Sequence, residues 1–146
     1  MANQSDLVIN GHAPDMLDAG KLQVAIAKYA PSAALAADSV VEMFPVKDDF
    51  VILNMDVYCE AFGAGRTVDV GDGDLVDRYF DGLDVSSAAK FDLATDGDAA
   101  YIWPKEYTAD DTIDAKVLGD TWPQDKALVL VIYYKVLGAL DGEEVD

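Results

Sequence analysis

The chain has 146 residues, of which 28 are Asp or Glu and 10 are Lys or Arg, for a formal net charge of −18. With 51% apolar residues it is too hydrophobic to be a disordered acidic tail, and so negative a chain is repelled by nucleic acid and by anionic membrane. Of the acids, 23 are Asp and only 5 are Glu. Asp competes with the backbone for hydrogen bonds and prefers turns and caps, so the composition points to strands joined by Asp-rich loops.

Residues 1–20 begin Met-Ala-Asn-Gln-Ser-Asp, which lacks the basic and apolar regions of a signal peptide, so synthesis in the cytoplasm is expected. They are weakly patterned and read as an extended N-terminal arm, in which Leu7, Val8 and Ile9 belong to a short strand candidate over residues 7–10. His12, the single histidine, sits in a Gly-His-Ala-Pro loop with no Ser, Cys or Glu partner nearby, a poor setting for general-base catalysis.

Residues 21–146 read as one domain. Within residues 22–29, Leu22, Ile26 and Tyr29 fit a helical face, whereas Leu22, Val24 and Ile26 alternate as in a strand. Pro31 ends the run early, and strand is the preferred reading. Residues 40–46 are a further strand candidate. Residues 51–61 alternate over eleven positions, with Val51, Leu53, Met55, Val57, Cys59 and Ala61 expected on the core face and Asn54, Asp56 and Glu60 on the wet one. Residues 67–70 and 112–117 repeat the pattern, the latter with Ile113, Ala115 and Val117 inward. Residues 89–93 and 100–103 are weaker candidates.

Residues 127–134, continuing to 137, are apolar on both faces, which marks a central strand covered by the core on one side and by something else, such as a neighbouring subunit, on the other. That apolar run falls far short of the roughly 20 residues that a membrane helix needs. Gly and Asp cluster between the strands, as in Gly71-Asp-Gly-Asp74 and Asp81-Gly82, where Gly supplies positive φ and Asp makes side-chain turns. About eight strands with turn signals between them describe an all-β fold, an antiparallel β-sandwich or jelly roll.

Cys59, the single cysteine, permits no disulfide within the chain and reads as a small buried hydrophobe. Asp72, Asp74 and Asp77 lie close enough to suggest a calcium loop. Their spacing fails the EF-hand pattern, with Gly between the acids and no bidentate Glu, so a solvated turn is the better reading and no metal is assigned. Phosphate-binding, HExxH and GxSxG motifs are missing, and no cofactor is expected. Trp103 and Trp122, each followed by Pro, have two readings: surface anchors for a partner or a sugar, or caps on the ends of the core.

One succession of residues resembles a known family. An alternating strand ending Tyr58-Cys-Glu-Ala-Phe62 is followed by Gly63-Ala-Gly-Arg-Thr-Val-Asp-Val-Gly-Asp-Gly-Asp74 and then by Asp77-Arg-Tyr-Phe-Asp-Gly82. Asp84-Val-Ser-Ser-Ala-Ala89, Thr112-Ile-Asp-Ala115 and the apolar strand from Leu128 to Tyr134 follow in order. Over about residues 40–135 this is similar to the head decoration, or capsid cement, proteins of tailed bacteriophages. Lys90 and Phe91 stand where small residues are common in that family, and an acidic tail follows Asp141.

The resemblance implies a structural virion protein and no enzyme. It implies a β-sandwich, as a homotrimer, on the outer surface of the phage head, where it binds the major capsid protein and stabilises the shell. Leu7, Val8, Ile9, Trp103 and Trp122 are the expected partner-binding residues, with Leu7–Ile9 of the arm adding a strand to a capsid edge. The competing reading is a virion-attached carbohydrate- or receptor-binding module that exposes Trp103 and Trp122 on one face.

Overall fold

The computed structural model describes residues 3–4, 21–101 and 103–137, and strands account for most of them. In chain order these are β1 (Asn3–Gln4), β2 (Gln23–Tyr29), β3 (Val40–Val46), β4 (Phe50–Cys59), β5 (Thr67–Asp72), β6 (Phe80–Asp84), β7 (Ala89–Asp92), β8 (Lys105–Glu106), β9 (Asp111–Leu118) and β10 (Leu128–Val136). A single helical turn, α1 (Leu93–Asp96), follows β7. Its N-cap is Asp92, whose carboxylate accepts from the Thr95 N–H at 2.9 Å, so an acid again serves as local backbone chemistry. No helix among the described residues is long and apolar enough to cross a membrane.

The strands form two sheets. One has the order β1-β3-β9-β5-β6; the other has β2-β10-β4-β7, with β8 also paired to β4. All pairings are antiparallel except β1 with β3. The inward residues of both sheets make one core, from Val41, Val68, Val70, Ile113, Ala115 and Val117 on one side to Met55, Val57, Leu130 and Ile132 on the other. The expected all-β sandwich is thus the fold, and Ile113, Ala115 and Val117 face inward as their alternation predicts.

Aromatic rings fill the two ends of the sandwich. Phe50 stacks on Tyr134 with centroids 5.5 Å apart, and Phe44 lies 5.4 Å from the same tyrosine. Elsewhere Trp122 meets Tyr29 edge-on at 5.2 Å and Phe62 at 5.6 Å. Offset and T-shaped contacts of this kind suit the ring quadrupoles.

Three expectations need correction. The alternation across β4 is not continuous: between Tyr133 and Tyr134 the register with β10 slips, leaving Leu53 without a partner. The slip reverses the parity, so that Phe50 and Ile52 join the core cluster, whereas Val51, although buried, and the half-buried Leu53 do not; Met55, Val57 and Cys59 stay inward. Second, residues 80–84, read as a turn at Asp81-Gly82, form the edge strand β6. Third, Ala100, Tyr101 and Trp103, of the strand candidate over 100–103, lie in no strand; the short β8 follows them. The segment 22–29 is a strand, β2, as preferred.

Two glycines have steric reasons. Gly119 has φ +90°, and a Cβ there would meet the Gly65 carbonyl oxygen at 2.1 Å; at Gly71 it would meet the Leu75 carbonyl oxygen at 2.1 Å. Among the described residues, three non-glycine residues hold positive φ, and all are Asp: Asp38, Asp49 and Asp125. Asp tolerates that region better than most side chains, which ties the Asp-rich composition directly to the turns.

Candidate interaction surfaces

The acids of the 69–82 segment do not converge as their sequence order suggests. Asp72 turns inward from the end of β5. Its Oδ1 accepts from the backbone N–H of Asp74 and Leu75, closing the turn, and its Oδ2 accepts from Arg78 Nε at 2.7 Å and from the Tyr107 hydroxyl at 2.7 Å. The Tyr79 and Tyr107 hydroxyls lie 2.7 Å apart, extending the chain of bonds into the core. Burial alone would raise the Asp72 carboxyl. The hydrogen bonds from Tyr107, Leu75 N–H and Arg78, with the guanidinium charge, outweigh it, and the group sits below the ordinary carboxylate range.

Asp74 is exposed at the turn. Asp77 instead lies with Asp69 and Asp81, and these three carboxylates can bring oxygens within 4.8 Å of one another. Asp69 is buried and accepts from the Gly82 N–H at 2.8 Å. Burial, with Asp81 and Asp77 nearby, pushes its carboxyl up despite that bond. Asp72 and Asp77 therefore take different partners, and Asp74 faces solvent.

On the outer face of the same sheet, Asp114 of β9 lies directly opposite Glu42 of β3. Burial is the main cause that pushes the Asp114 carboxyl up to about 6; Glu42, Asp111 and Asp72 add to it, and the Thr112 hydroxyl bond opposes it. From β1, Gln4 Nε2 donates to Glu42 Oε1 at 2.6 Å. Cys59 is buried, and burial raises its thiol pKa, the opposite of what a nucleophile requires.

The expected partner-binding residues separate. Leu7, Val8, Ile9 and His12 lie outside the described residues. Trp103 is 75% exposed, beside a shallow groove of about 140 Å³ lined by Arg78, Ala100, Tyr101, Pro104 and Lys105. Trp122 is 1% exposed; its indole N–H donates to the Lys126 carbonyl at 2.9 Å, and its backbone pairs with Leu35. Of its two readings, the core cap is the one realised, so the two tryptophans share no platform. A second hollow of about 300 Å³, between Gly73-Asp74 and residues 105–111, is lined mainly by polar groups.

The outer face of the β2-β10 pair carries an apolar surface whose β10 part the doubly apolar pattern predicts and whose β2 part it does not. Val24 and Ile26 of the edge strand, and Leu22 just before it, stand exposed there, next to the half-buried Val129, Val131 and Tyr133 of β10. The doubly apolar β10 is thus covered on its outer face only in part, by its neighbouring strands. A signal was available: no acid occurs between Asp18 and Asp38 in a chain that holds 28.

No protein-family model matches this chain, and no curated protein matches it. Solved structures do. The fold is shared with chains from phage capsids, so the expected likeness to phage head proteins holds at the level of the fold. A chain from the capsid of Ralstonia phage GP4 superposes with a TM-score of 0.75 at 17% identity, over 95% of this chain and 99% of that one. Chains from the cyanophage Pam1 capsid asymmetric unit and from the acidic stable capsid of Helicobacter pylori bacteriophage KHP30 each give a TM-score of 0.59. Their identities are 16% and 15%, over 84% and 82% of this chain.

Proposed function

We propose that this protein is a non-enzymatic capsid decoration (cement) protein that binds the major capsid protein on the outer surface of a phage head, as a homotrimer, and stabilises the shell. The observation that carries the reading is the end-to-end likeness to the GP4 capsid chain: nearly the whole of each chain is matched, so the likeness is not to one domain of a larger polypeptide. The surface chemistry agrees. A protein of net charge −18 has little to bind packaged DNA with, and its exposed apolar residues suit protein contacts. A trimer bridging several shell subunits multiplies weak contacts through effective concentration.

The test is cosedimentation of purified protein with phage heads that lack it, with copy number measured by mass spectrometry of intact virions. Saturable binding and hundreds of copies per particle are expected. A handful of copies indicates a tail or receptor component, and absence from the virion overturns the reading. The arm enters as part of the proposal: deletion of residues 1–20, which removes Leu7, Val8 and Ile9, weakens head binding, and unchanged binding would sink the arm's role.

A carbohydrate- or receptor-binding module is the second reading, favoured by the exposed Trp103 beside Tyr101. Glycan-array binding that disappears in Trp103→Ala supports it.

A further inference from the structure

The two lateral sides of the sandwich carry opposite chemistry. On the β2 side the outward positions from Leu22 to Ile26 are all aliphatic, with Ile26 65% exposed, and Lys28 follows in the same outward register. That stretch is free of acids. On the opposite side, across β10 and β4, the segment entering β8 exposes Trp103 and Tyr101 beside Pro104; Asp98 is bonded to this segment through the N–H groups of Ala100 and Tyr101, and the exposed Glu106 follows in β8. The cations there are already engaged: Arg78 is paired with Asp72 at 2.7 Å, and Lys105 lies over the Tyr107 ring at 5.1 Å.

The register sets both patches at one level of the sheet. Gln23 pairs with Tyr134, Tyr134 with Ile52, and Ile52 with Lys105, in a single row across the strands. Three strand spacings of about 4.8 Å separate the two edges, so within one molecule neither patch can cover the other. Two β2 patches meeting would offer Lys28 no acid, and two Trp103 segments meeting would set acids near acids. Unlike patches meeting lay the Trp103 ring on an aliphatic row and bring Lys28 towards carboxylates, which satisfies packing and charge together.

We propose that copies of this chain associate head to tail, the β2 edge of one copy against the Trp103 segment of the next, and that the contact closes into a ring. A heterologous contact of this kind closes when its rotation allows, whereas a self-complementary contact stops at two copies. The inference rests on the self-association in the reading above and specifies which surfaces meet.

Sedimentation velocity of the full chain, of Ile26→Asp, of Trp103→Asp, and of an equal mixture of the two variants tests it. The unsubstituted protein runs as a closed oligomer and each variant as a monomer with the parent's far-ultraviolet circular dichroism, melting below the parent only by the stabilisation that association supplies. The mixture runs as a dimer, because one intact patch of each kind survives per pair. Ile26→Thr, which keeps a β-branched residue in the strand, guards against a folding defect in Ile26→Asp and also runs as a monomer. A variant that keeps the parent oligomer, a mixture that stays monomeric, or a monomeric parent overturns the contact. Cosedimentation with undecorated heads separates the two claims. A ring that does not bind heads leaves the contact standing and overturns the cement reading. Head binding by an oligomer that neither substitution disturbs does the reverse.

Discussion

At the scale of single residues, the acids divide into those that organise the backbone and those that burial forces into unequal protonation. Asp72 is the first kind: its carboxylate joins the 72–75 turn, Arg78 and Tyr107 into one buried network. Asp72→Asn leaves a mostly buried guanidinium without its counter-charge and should destabilise the fold by about 3 kcal/mol in urea unfolding at neutral pH. Because its folded pKa is depressed, this stability is present above the unfolded carboxyl pKa of roughly 3.9 and is lost as pH falls through the lower folded value. Asp114 has the opposite sign. Its pKa is raised to about 6, so its contribution is fully present below roughly pH 3.9 and is lost as pH rises through about 6. Asp114→Asn, which can still accept from Thr112, should therefore raise stability by about 1 kcal/mol at pH 8 and leave it unchanged at pH 4, read from unfolding midpoints at the two pH values. The tryptophans separate just as sharply. Trp122→Ala should cost about 3–5 kcal/mol, and Trp103→Ala less than about 0.5, in the same assay on chains dilute enough to be monomeric.

At the scale of elements, β2 and β10 show how exposure and packing part company within one sheet. Ile132 is fully buried whereas Ile26, in the adjacent strand, stands in solvent. Ile132→Ala should destabilise by about 3 kcal/mol and Ile26→Ala by less than about 0.5, measured by thermal unfolding at concentrations dilute enough to keep the chain monomeric. Strands with clean alternation, such as β9, were legible in the sequence, because Ile113, Ala115 and Val117 admit a single buried face. The arrangement around Leu53 was not. A bulge arises from pairing with a distant strand, and local alternation carries no trace of it. Edge strand β6 was hidden for a related reason, since its Asp-Gly pair reads as a turn until β5 supplies a hydrogen-bonding partner. At the candidate surfaces, both tryptophans have the same sequence context, Trp followed by Pro. What separates them is that Tyr29 and Phe62 converge on Trp122 from remote parts of the chain.

At the scale of the molecule, a net charge of −18 on a small domain means that compaction works against self-repulsion. Raising the salt from about 10 to 200 mM shortens the screening length from roughly 30 Å to below 10 Å, so the melting temperature should rise by a few degrees; a flat profile would show the charges to be locally compensated. A different consequence follows from the position of β10, the last described strand in the chain and yet the one between β2 and β4. Its Tyr134 hydroxyl reaches back 111 residues to Gln23. During synthesis β2 and β4 therefore wait, with apolar faces and open edges, until the strand that joins them leaves the ribosome. Such long-range closure is slow, on the order of milliseconds to seconds for sandwiches, and waiting strands of neighbouring nascent chains invite mispairing. Because 21 of the 28 acids lie between β2 and β10, chains waiting for that strand repel one another, a protection that acts before the protein has a fold to stabilise.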